Sequence, residues 1–203
     1  MKMNQDPFKE YIRESEPNKR EKGYAWQTAI GLQAVDGLKT SKYLIDTAIR
    51  NIEGDISIDE ANSLLNSYYE ENPKQDPGDR TEEADKVSVR IVKVLSETGF
   101  SFTPNEYISI HKKLFTGIYR HAGKIRDYNI TKKEWVLDGE TVLYGNASEL
   151  RDTLEYDFSE ERTFSYKGLS INEIIHHLAV FVSRLWQIHI FEEGNTRTTA
   201  VFF

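Results

Sequence analysis

Nine consecutive residues, His189–Arg197, carry the side chains best suited to chemistry in this 203-residue chain. His189 offers a base whose ordinary pKa of about 6.5 fits the removal of a proton from a hydroxyl group. Glu193 supplies a hard oxygen ligand of the kind that Mg²⁺ takes together with substrate phosphates and water. Arg197 provides a forked cation suited to phosphate oxygens. Together these groups indicate phosphoryl or nucleotidyl transfer, in which positioning and charge stabilisation supply most of the catalysis.

The residues around this segment predict how it is held. Ser170 and Glu173 form a capping box that opens a long apolar helix ending near Trp186, and residues 198–203 resume an apolar, helical pattern. A helix, a short loop containing Gly194 and a new helix N-terminus make an anion site, because free N–H groups and the helix dipole favour phosphate. Each residue alone is more often a cap, a turn or a solvated surface group. The combination favours a functional site.

Composition narrows the classes of function. The net charge of −7 and the pI of about 5.3 argue against a general binder of nucleic acid or anionic membrane, since both need a basic surface. No cysteine is present, which excludes a disulfide framework and a thiolate zinc site. A metal site on His176, His177 and His189 is disfavoured, because their spacing is not HExxH and adjacent histidines on a helix point apart. With no visible signal peptide or membrane-length apolar run, the sequence predicts a cytoplasmic protein.

The N-terminal part of the chain divides by composition. Residues 1–22 are polar and charged and are predicted to be a loosely ordered arm. Residues 23–72 are predicted to be a helical module, in which glycines break the pattern of Tyr24–Asn51 into two helices and a capping box at Ser57 opens another. The Pro/Gly/charged stretch Asn72–Arg80 is the best internal boundary, and the alternative is a long loop on the surface of one domain.

Residues 81–203 are predicted to be the core of a mainly α fold. Helices are expected over Thr81–Gly99, from Thr103 to about Tyr119 and over Asn146–Phe158. Two β-prone runs flank Asp138-Gly139, which is the strongest short hairpin signal that a sequence offers. The hairpin is expected within Ile130–Tyr144.

The segment that begins at His189 resembles the signature of the Fic family, HxFx(D/E)GNGRxxR. The matching residues are His189, Phe191, Glu193, Gly194, Asn195 and Arg197. Residues 110–130 are similar to the family's segment before its hairpin flap, and the expected hairpin falls where that flap belongs. The resemblance implies a Fic-type helical bundle with one β-hairpin flap and an N-terminal helical module. It also implies an enzyme that transfers AMP from ATP to a hydroxyl side chain of a target protein.

The resemblance implies a role for each matching residue. His189 would be the general base, Phe191 a core anchor of the loop, and Glu193 the Mg²⁺ ligand. Phosphate would be held by Gly194, Asn195, the Thr196 backbone and Arg197. The target protein would dock on flap residues, namely Trp135, Val136, Leu137 and Val142.

Two positions depart from the signature. Thr196 replaces its second glycine, where family members that transfer a phosphoryl group carry lysine, so adenylylation stays favoured. Ala200 replaces its second arginine, which usually grips the γ-phosphate. Two alternatives therefore stay open. One is a Fic-type transferase that uses another donor (UMP, phosphocholine or phosphate), and the other is a non-catalytic nucleotide-binding or regulatory module.

The N-terminal module carries a second resemblance. Many Fic enzymes have an inhibitory helix with the motif (S/T)xxxE(G/N), and Glu53 and Gly54 match its end, with Ile49 at the Ser/Thr position. The resemblance implies autoinhibition by Glu53. The simpler structural interpretation is that Gly54 ends a helix and Glu53 lies exposed beside it.

The remaining expectations concern substrates and partners. ATP with Mg²⁺ is the expected donor, and a target protein hydroxyl is the acceptor. Self-modification and a homo-oligomer are kept open, whereas nucleic-acid and membrane partners are not expected. The apolar end at Val201–Phe203 suggests a chain that lacks the family's last helices.

Overall fold

The computed structural model describes residues 6–13, 16–73, 76, 78–133 and 138–203. The described chain is mainly helical, with one two-stranded antiparallel sheet, as the sequence predicts. It forms two compact units, Met1–Thr98 and Gly99–Phe203. No helix in the described ranges is long and apolar enough to cross a membrane. The elements are α1 (Lys9–Arg13), α2 (Pro17–Val35), α3 (Lys42–Glu53), α4 (Ile58–Glu71), α5 (Thr81–Leu95), α6 (Pro104–Phe115), β1 (Thr131–Lys133), β2 (Thr141–Leu143), α7 (Leu150–Thr163), α8 (Ile171–Ile188) and α9 (Asn195–Phe202).

The caps predicted from sequence define several helix ends. Ser57 and Glu60 form the reciprocal capping box that opens α4, and Ser170 and Glu173 do the same for α8. Pro104 begins α6. The stretch Tyr24–Asn51 does divide between two helices, α2 and α3. Local sequence thus determined where these helices begin, because each cap satisfies N–H groups that the helix itself leaves unpaired.

The N-terminal residues differ from the expected polar arm. Residues 9–13 and 17–22 are helical rather than loosely ordered. Phe8 is buried, and the Cα of Gly23 on α2 lies so close to α1 that an added Cβ would stand 3.1 Å from the Cβ of Tyr11. The short α1 is therefore fixed by packing against α2, an interaction that the polar composition of this stretch does not reveal.

Helix α5 packs in the first unit, whereas the sequence boundary places it with the core. The buried carboxylate of Asp85 on α5 accepts hydrogen bonds from the backbone N–H of Ser41 at 2.9 Å, from its hydroxyl at 2.5 Å and from the Tyr69 hydroxyl at 2.6 Å. These bonds connect α5 to the start of α3 and the end of α4. The chain divides between residues 98 and 99 rather than within Asn72–Arg80, because the tertiary contacts of α5 are with the preceding helices.

The second unit is built around an aromatic core. Rings from α6, α7, α8, α9 and the segment just before α6 contact one another at centroid distances of 5.2 to 6.3 Å. They belong to Phe102, Tyr107, Phe158, Phe181 and Phe202. Aromatic pairs at such separations add stabilisation beyond the burial of area. The core holds α8 and α9 in place, and the loop between those two helices is the segment with the chemical side chains.

The predicted hairpin is present as β1 and β2. Thr131 pairs with Leu143, and Lys133 pairs with Thr141. Asp138 and Gly139 have φ values of 53° and 82°, the positive values that favour Asp-Gly in tight hairpin turns. The expected target-docking residues Trp135, Val136 and Leu137 lie outside the described residues. Val142 lies on β2, half-buried.

Candidate active site

His189 ends helix α8 in a conformation that turns the chain sharply. Its backbone is left-handed, with φ 51° and ψ 60°, which is uncommon for a residue other than glycine. Its N–H still donates to the carbonyl of Leu185 at 3.2 Å, so the helix is complete up to this residue. The imidazole stacks on the ring of Tyr144, just after β2, at a centroid distance of 4.1 Å. The histidine therefore lies between the helix end and the base of the hairpin.

The imidazole of His189 is buried, and its ring nitrogens take no part in the described hydrogen bonds that hold the fold. The residue is 7% exposed, and neither ring nitrogen makes a hydrogen bond of good geometry to a described residue, although the backbone of Trp186 lies close enough to favour the charged ring slightly. Burial, and to a smaller extent the positive charge of the nearby Lys132 on β1, lower the pKa of His189 to about 4. A buried polar group usually has a partner, so a ring with two unpaired nitrogens calls for an explanation. At neutral pH the ring is uncharged, and a nitrogen lone pair can accept a proton.

The loop after His189 is fixed by a side chain that bonds to backbone. Asn195 accepts a hydrogen bond from the N–H of Phe191 at 3.0 Å and donates one to the carbonyl of Phe191 at 2.8 Å. Both residues are buried. The side chain of Asn195 is thus used to close the loop, and its backbone N–H is the group it could offer to phosphate. Phe191 is buried, as expected for an anchor.

A second buried histidine, His111 on α6, supports the loop from the other side. Its Nδ1 accepts from the N–H of Gly123 at 2.8 Å, so the proton resides on Nε2, which donates to the carbonyl of Glu193 at 2.9 Å. Its ring stacks on Phe191 with centroids 3.7 Å apart. Burial lowers the pKa of His111 to about 4, which keeps this tautomer uncharged at neutral pH.

Helix α9 starts directly at the loop. Gly194 precedes it with φ 81°, and a Cβ at this position would lie 2.5 Å from the Phe115 ring, so both the backbone and the space require glycine. The first N–H groups of a helix have no partner within the helix and attract anions. At the second position of α9, the Thr196 hydroxyl accepts from Trp186 Nε1 at 3.3 Å. Thr196 is therefore held against α8 in place of the signature glycine.

Arg197 is the third residue of α9, and its side chain is buried. The residue is fully buried, its guanidinium donates to the Tyr119 hydroxyl at 2.9 Å, and its Cζ lies 4.8 Å from the centroid of the Phe115 ring. In this arrangement the cation supports the loop and adds positive charge below the helix N-terminus. A direct contact between Arg197 and the β/γ-phosphates stays a prediction.

Glu193 points away from this buried network. The residue is exposed, and its carboxylate has no hydrogen bond or ion pair among the described residues. Within the same ranges no group of three or more acidic, histidine or cysteine side chains could hold a metal ion. One carboxylate fits Mg²⁺ that binds with a nucleotide, because this ion keeps several waters and completes its shell with substrate phosphates.

Arg126 is a site residue that the sequence analysis did not single out. Its guanidinium donates to four carbonyl groups, those of His189 (2.8 Å), Tyr128 (2.6 Å), Gly145 (2.5 Å) and Ile188 (3.2 Å). The residue is 5% exposed. A local signal was present, since Arg126 lies in the stretch that resembles the segment before the flap, but its partners are up to 63 residues away in the chain.

The two units carry different parts of the predicted site. His189, Glu193 and the start of α9 all lie in the second unit. Glu53 and Gly54 lie in the first unit, where Gly54 ends α3 with φ 90°. The Glu53 carboxylate accepts from Lys19 Nζ at 2.8 Å, which lowers the pKa of Glu53. Ala200 is exposed on α9. The regulatory role of Glu53 stays a prediction.

Comparison with known proteins agrees with the sequence resemblance. Residues 101–203 match the Fic/DOC family. The chain belongs to this family. It is also 32% identical over 93 residues to protein adenylyltransferase VbhT of Bartonella schoenbuchensis, an alignment that covers 46% of this chain and 18% of that protein. No solved structure matches the chain significantly.

Proposed function

We propose that this chain is a Fic-type transferase that moves AMP from ATP onto a hydroxyl side chain of a target protein. The observation that carries the proposal is His189, a buried histidine at the end of α8, six residues before α9 begins, whose two ring nitrogens have no hydrogen-bond partner among the described residues. Family membership over residues 101–203 supports a transferase, and the name of the relative VbhT favours adenylylation.

In the proposed reaction His189 takes the proton of the target hydroxyl. The hydroxyl oxygen forms a bond to the α-phosphorus of ATP, the bond from that phosphorus to the bridging oxygen breaks, and pyrophosphate leaves. The N–H groups at the start of α9 and the positive end of its dipole stabilise the added negative charge. A histidine with a lowered pKa suits this task because it stays uncharged and able to accept a proton at neutral pH.

Donor binding is assigned to the loop and the start of α9. Gly194, Asn195 and Thr196 would offer backbone N–H groups to phosphate, and Glu193 would hold Mg²⁺, which neutralises phosphate charge when bound. Thr196 stands where family members that transfer a phosphoryl group carry lysine, which favours AMP as the transferred group. A Fic-type transfer of UMP, phosphocholine or phosphate is the alternative for the donor.

The target would dock on the hairpin as an added strand. Both strands are mostly exposed, and β1 and β2 have only each other as described strand neighbours, so outer backbone groups are left for pairing. Pairing through backbone holds a segment without reading all of its side chains. Val142 and residues 135–137 are the proposed docking positions. A proline at Val136 should lower target modification and leave ATP binding unchanged if that N–H donates to the target.

Autoinhibition by Glu53 is the finer part of the proposal. The carboxylate would compete with the γ-phosphate for N–H groups and for Arg197, so that bound ATP is misaligned for attack. Glu53→Gly should raise labelling above wild type, with little loss of stability because the side chain is on the surface and its ion pair with Lys19 is partly exposed. Equal labelling of the two proteins would mean that Glu53 and Gly54 only end a helix.

One experiment tests the main proposal. The protein and a cell lysate are incubated with Mg²⁺ and ATP, UTP or CDP-choline, and proteins are examined by mass spectrometry. Added AMP on serine, threonine or tyrosine is the expected product. UMP, phosphocholine or phosphate would instead support another donor. No modification, together with no ATP binding in calorimetry, would support the non-catalytic alternative that Ala200 raises.

A further inference from the structure

Arg126 connects three segments whose relative positions matter for the proposed reaction. Tyr128 precedes β1, Gly145 follows β2, and the carbonyls of Ile188 and His189 end helix α8. Its guanidinium donates to all four of these groups at 2.5 to 3.2 Å. Its backbone N–H also donates to the carbonyl of Ile190 at 2.9 Å. One side chain thus joins both ends of the hairpin to the backbone on either side of the candidate base.

The chemistry of these partners explains why an arginine is needed. The last carbonyls of a helix have no partner within the helix and form the negative end of its dipole, which favours a cation. Only a guanidinium offers five N–H groups in a fixed planar fork, so it can bond several carbonyls in different directions at once. No described carboxylate pairs with Arg126, and the residue is 5% exposed. The guanidinium of Arg126 therefore bonds to backbone carbonyls, and the relative positions of the segments that carry those carbonyls depend on it.

A second contact places the imidazole itself against the hairpin. Tyr144, adjacent to Gly145, stacks on the His189 ring with centroids 4.1 Å apart. His189 also adopts a left-handed backbone that costs free energy and persists only where the surroundings hold it. The bond from Arg126 Nε to the His189 carbonyl acts on this strained peptide directly. A change at Arg126 would therefore shift the base of the hairpin relative to the imidazole of His189.

We propose that Arg126 is a positioning residue that fixes the base of the hairpin against His189, and so sets where a target hydroxyl meets the base. The inference rests on the proposed function, in which the hairpin holds the target. Arg126 does not touch the reacting atoms in this scheme. Its removal should impair transfer to protein much more than reaction with water, because water needs the base but not the hairpin.

The test compares Arg126→Gln and Arg126→Lys with wild type and with Arg151→Gln, an exposed arginine on α7 that serves as a matched control. Two rates are measured with α-phosphate-labelled ATP and Mg²⁺: label transfer to one fixed lysate, and release of free labelled AMP, the product of attack by water, without added protein. Misplacement by about 1 Å can cost about 10²-fold in rate. Both Arg126 variants should lose about 10-fold or more in protein transfer, while water reaction and ATP affinity change by less than about 3-fold.

Hydrogen exchange by mass spectrometry supplies a readout that does not depend on activity. Peptides covering 126–147 and 186–191 should exchange faster together in both Arg126 variants, while the α7 peptide 150–163 stays at the wild-type rate. If Arg126→Gln does not fold, Arg126→Lys carries the comparison, since it keeps the charge and loses the fork. A wild-type protein with no ATP reaction would overturn the proposed function. Unchanged exchange, or equal losses in protein transfer and water reaction, would overturn the positioning role of Arg126.

Discussion

Two buried histidines lie next to the same loop and differ in what their ring nitrogens contact. Burial lowers the pKa of both His111 and His189 to about 4. His111 uses both ring nitrogens, one toward Gly123 and one toward the carbonyl of Glu193. His189 uses neither toward any described residue. The same residue type in similar burial is therefore structural in one place and available for chemistry in the other.

The difference shows that hydrogen-bond satisfaction, rather than burial or pKa, separates the two roles. A satisfied histidine fixes its surroundings, because losing it leaves a buried donor and a buried acceptor unpaired. An unsatisfied histidine contributes little to folding through its nitrogens and can pair with a substrate hydroxyl instead. The comparison predicts that changes at His111 act mainly on stability and that changes at His189 act mainly on rate.

The largest expected effect is on the rate of transfer in His189→Ala. Loss of a general base typically lowers a rate by about 10²–10⁴-fold. Thermal stability should fall only through the lost packing of the ring on Tyr144, because no described hydrogen bond of the imidazole is lost. His176→Ala, an exposed histidine on the same helix, is the matched control. Transfer at the wild-type rate in His189→Ala would show that His189 is not the general base.

The next effect is on stability in His111→Phe. The substitution retains a ring to stack on Phe191 but leaves the Gly123 N–H and the Glu193 carbonyl without their partner. Leaving such a group unpaired costs about 1–3 kcal/mol, which denaturant unfolding would detect. Unfolding free energy equal to wild type would show that His111 does not hold the loop.

A smaller effect is expected from Glu193→Gln, which changes the carboxylate of this residue and leaves its backbone carbonyl in place. Its carbonyl is held by His111, whereas its carboxylate is exposed. The variant should keep wild-type stability and bind ATP with Mg²⁺ about 10-fold more weakly, or about 1.4 kcal/mol. Arg197→Ala should weaken binding further through lost charge. Nucleotide titrations with unchanged affinity in both variants would contradict the proposed phosphate site.

The smallest effect is expected from moderate acidification. A general base must be neutral, so transfer should persist below the ordinary histidine pKa of about 6.5 and fall only as pH approaches about 4. A pH–rate profile with its acid limb near 6.5 would show that the imidazole is not shielded from water.

The same shifts predict how stability depends on pH. A histidine with a depressed pKa takes up its proton first in the unfolded chain. Stability is therefore fully present above about 6.5 and is lost as pH falls toward about 4. His189→Ala should lose less stability across this window than wild type, since one of the two buried histidines is gone. Parallel curves would argue against a lowered pKa at His189.

The sequence by itself determined the local features of this protein. The signature from His189 to Arg197 identified the family, which the match over residues 101–203 confirms. Capping boxes at Ser57 and Ser170 and the Asp138-Gly139 turn predicted elements that the structure contains. These signals depend on residues a few positions apart, because the hydrogen bonds and backbone conformations that produce them lie within one turn or one helix end.

Only the tertiary structure decided what surrounds the base. His111 meets Glu193 across 82 residues of sequence, Arg197 meets Tyr119 across 78, and Arg126 meets His189 across 63. Tertiary contacts, among them the hydrogen bond from the Tyr69 hydroxyl to Asp85, also place α5 in the first unit. No local pattern encodes such pairs, because a polar side chain acquires a partner only when packing buries it beside one. For this reason the sequence predicted which residues carry the chemistry, and the fold showed which residues hold them in place.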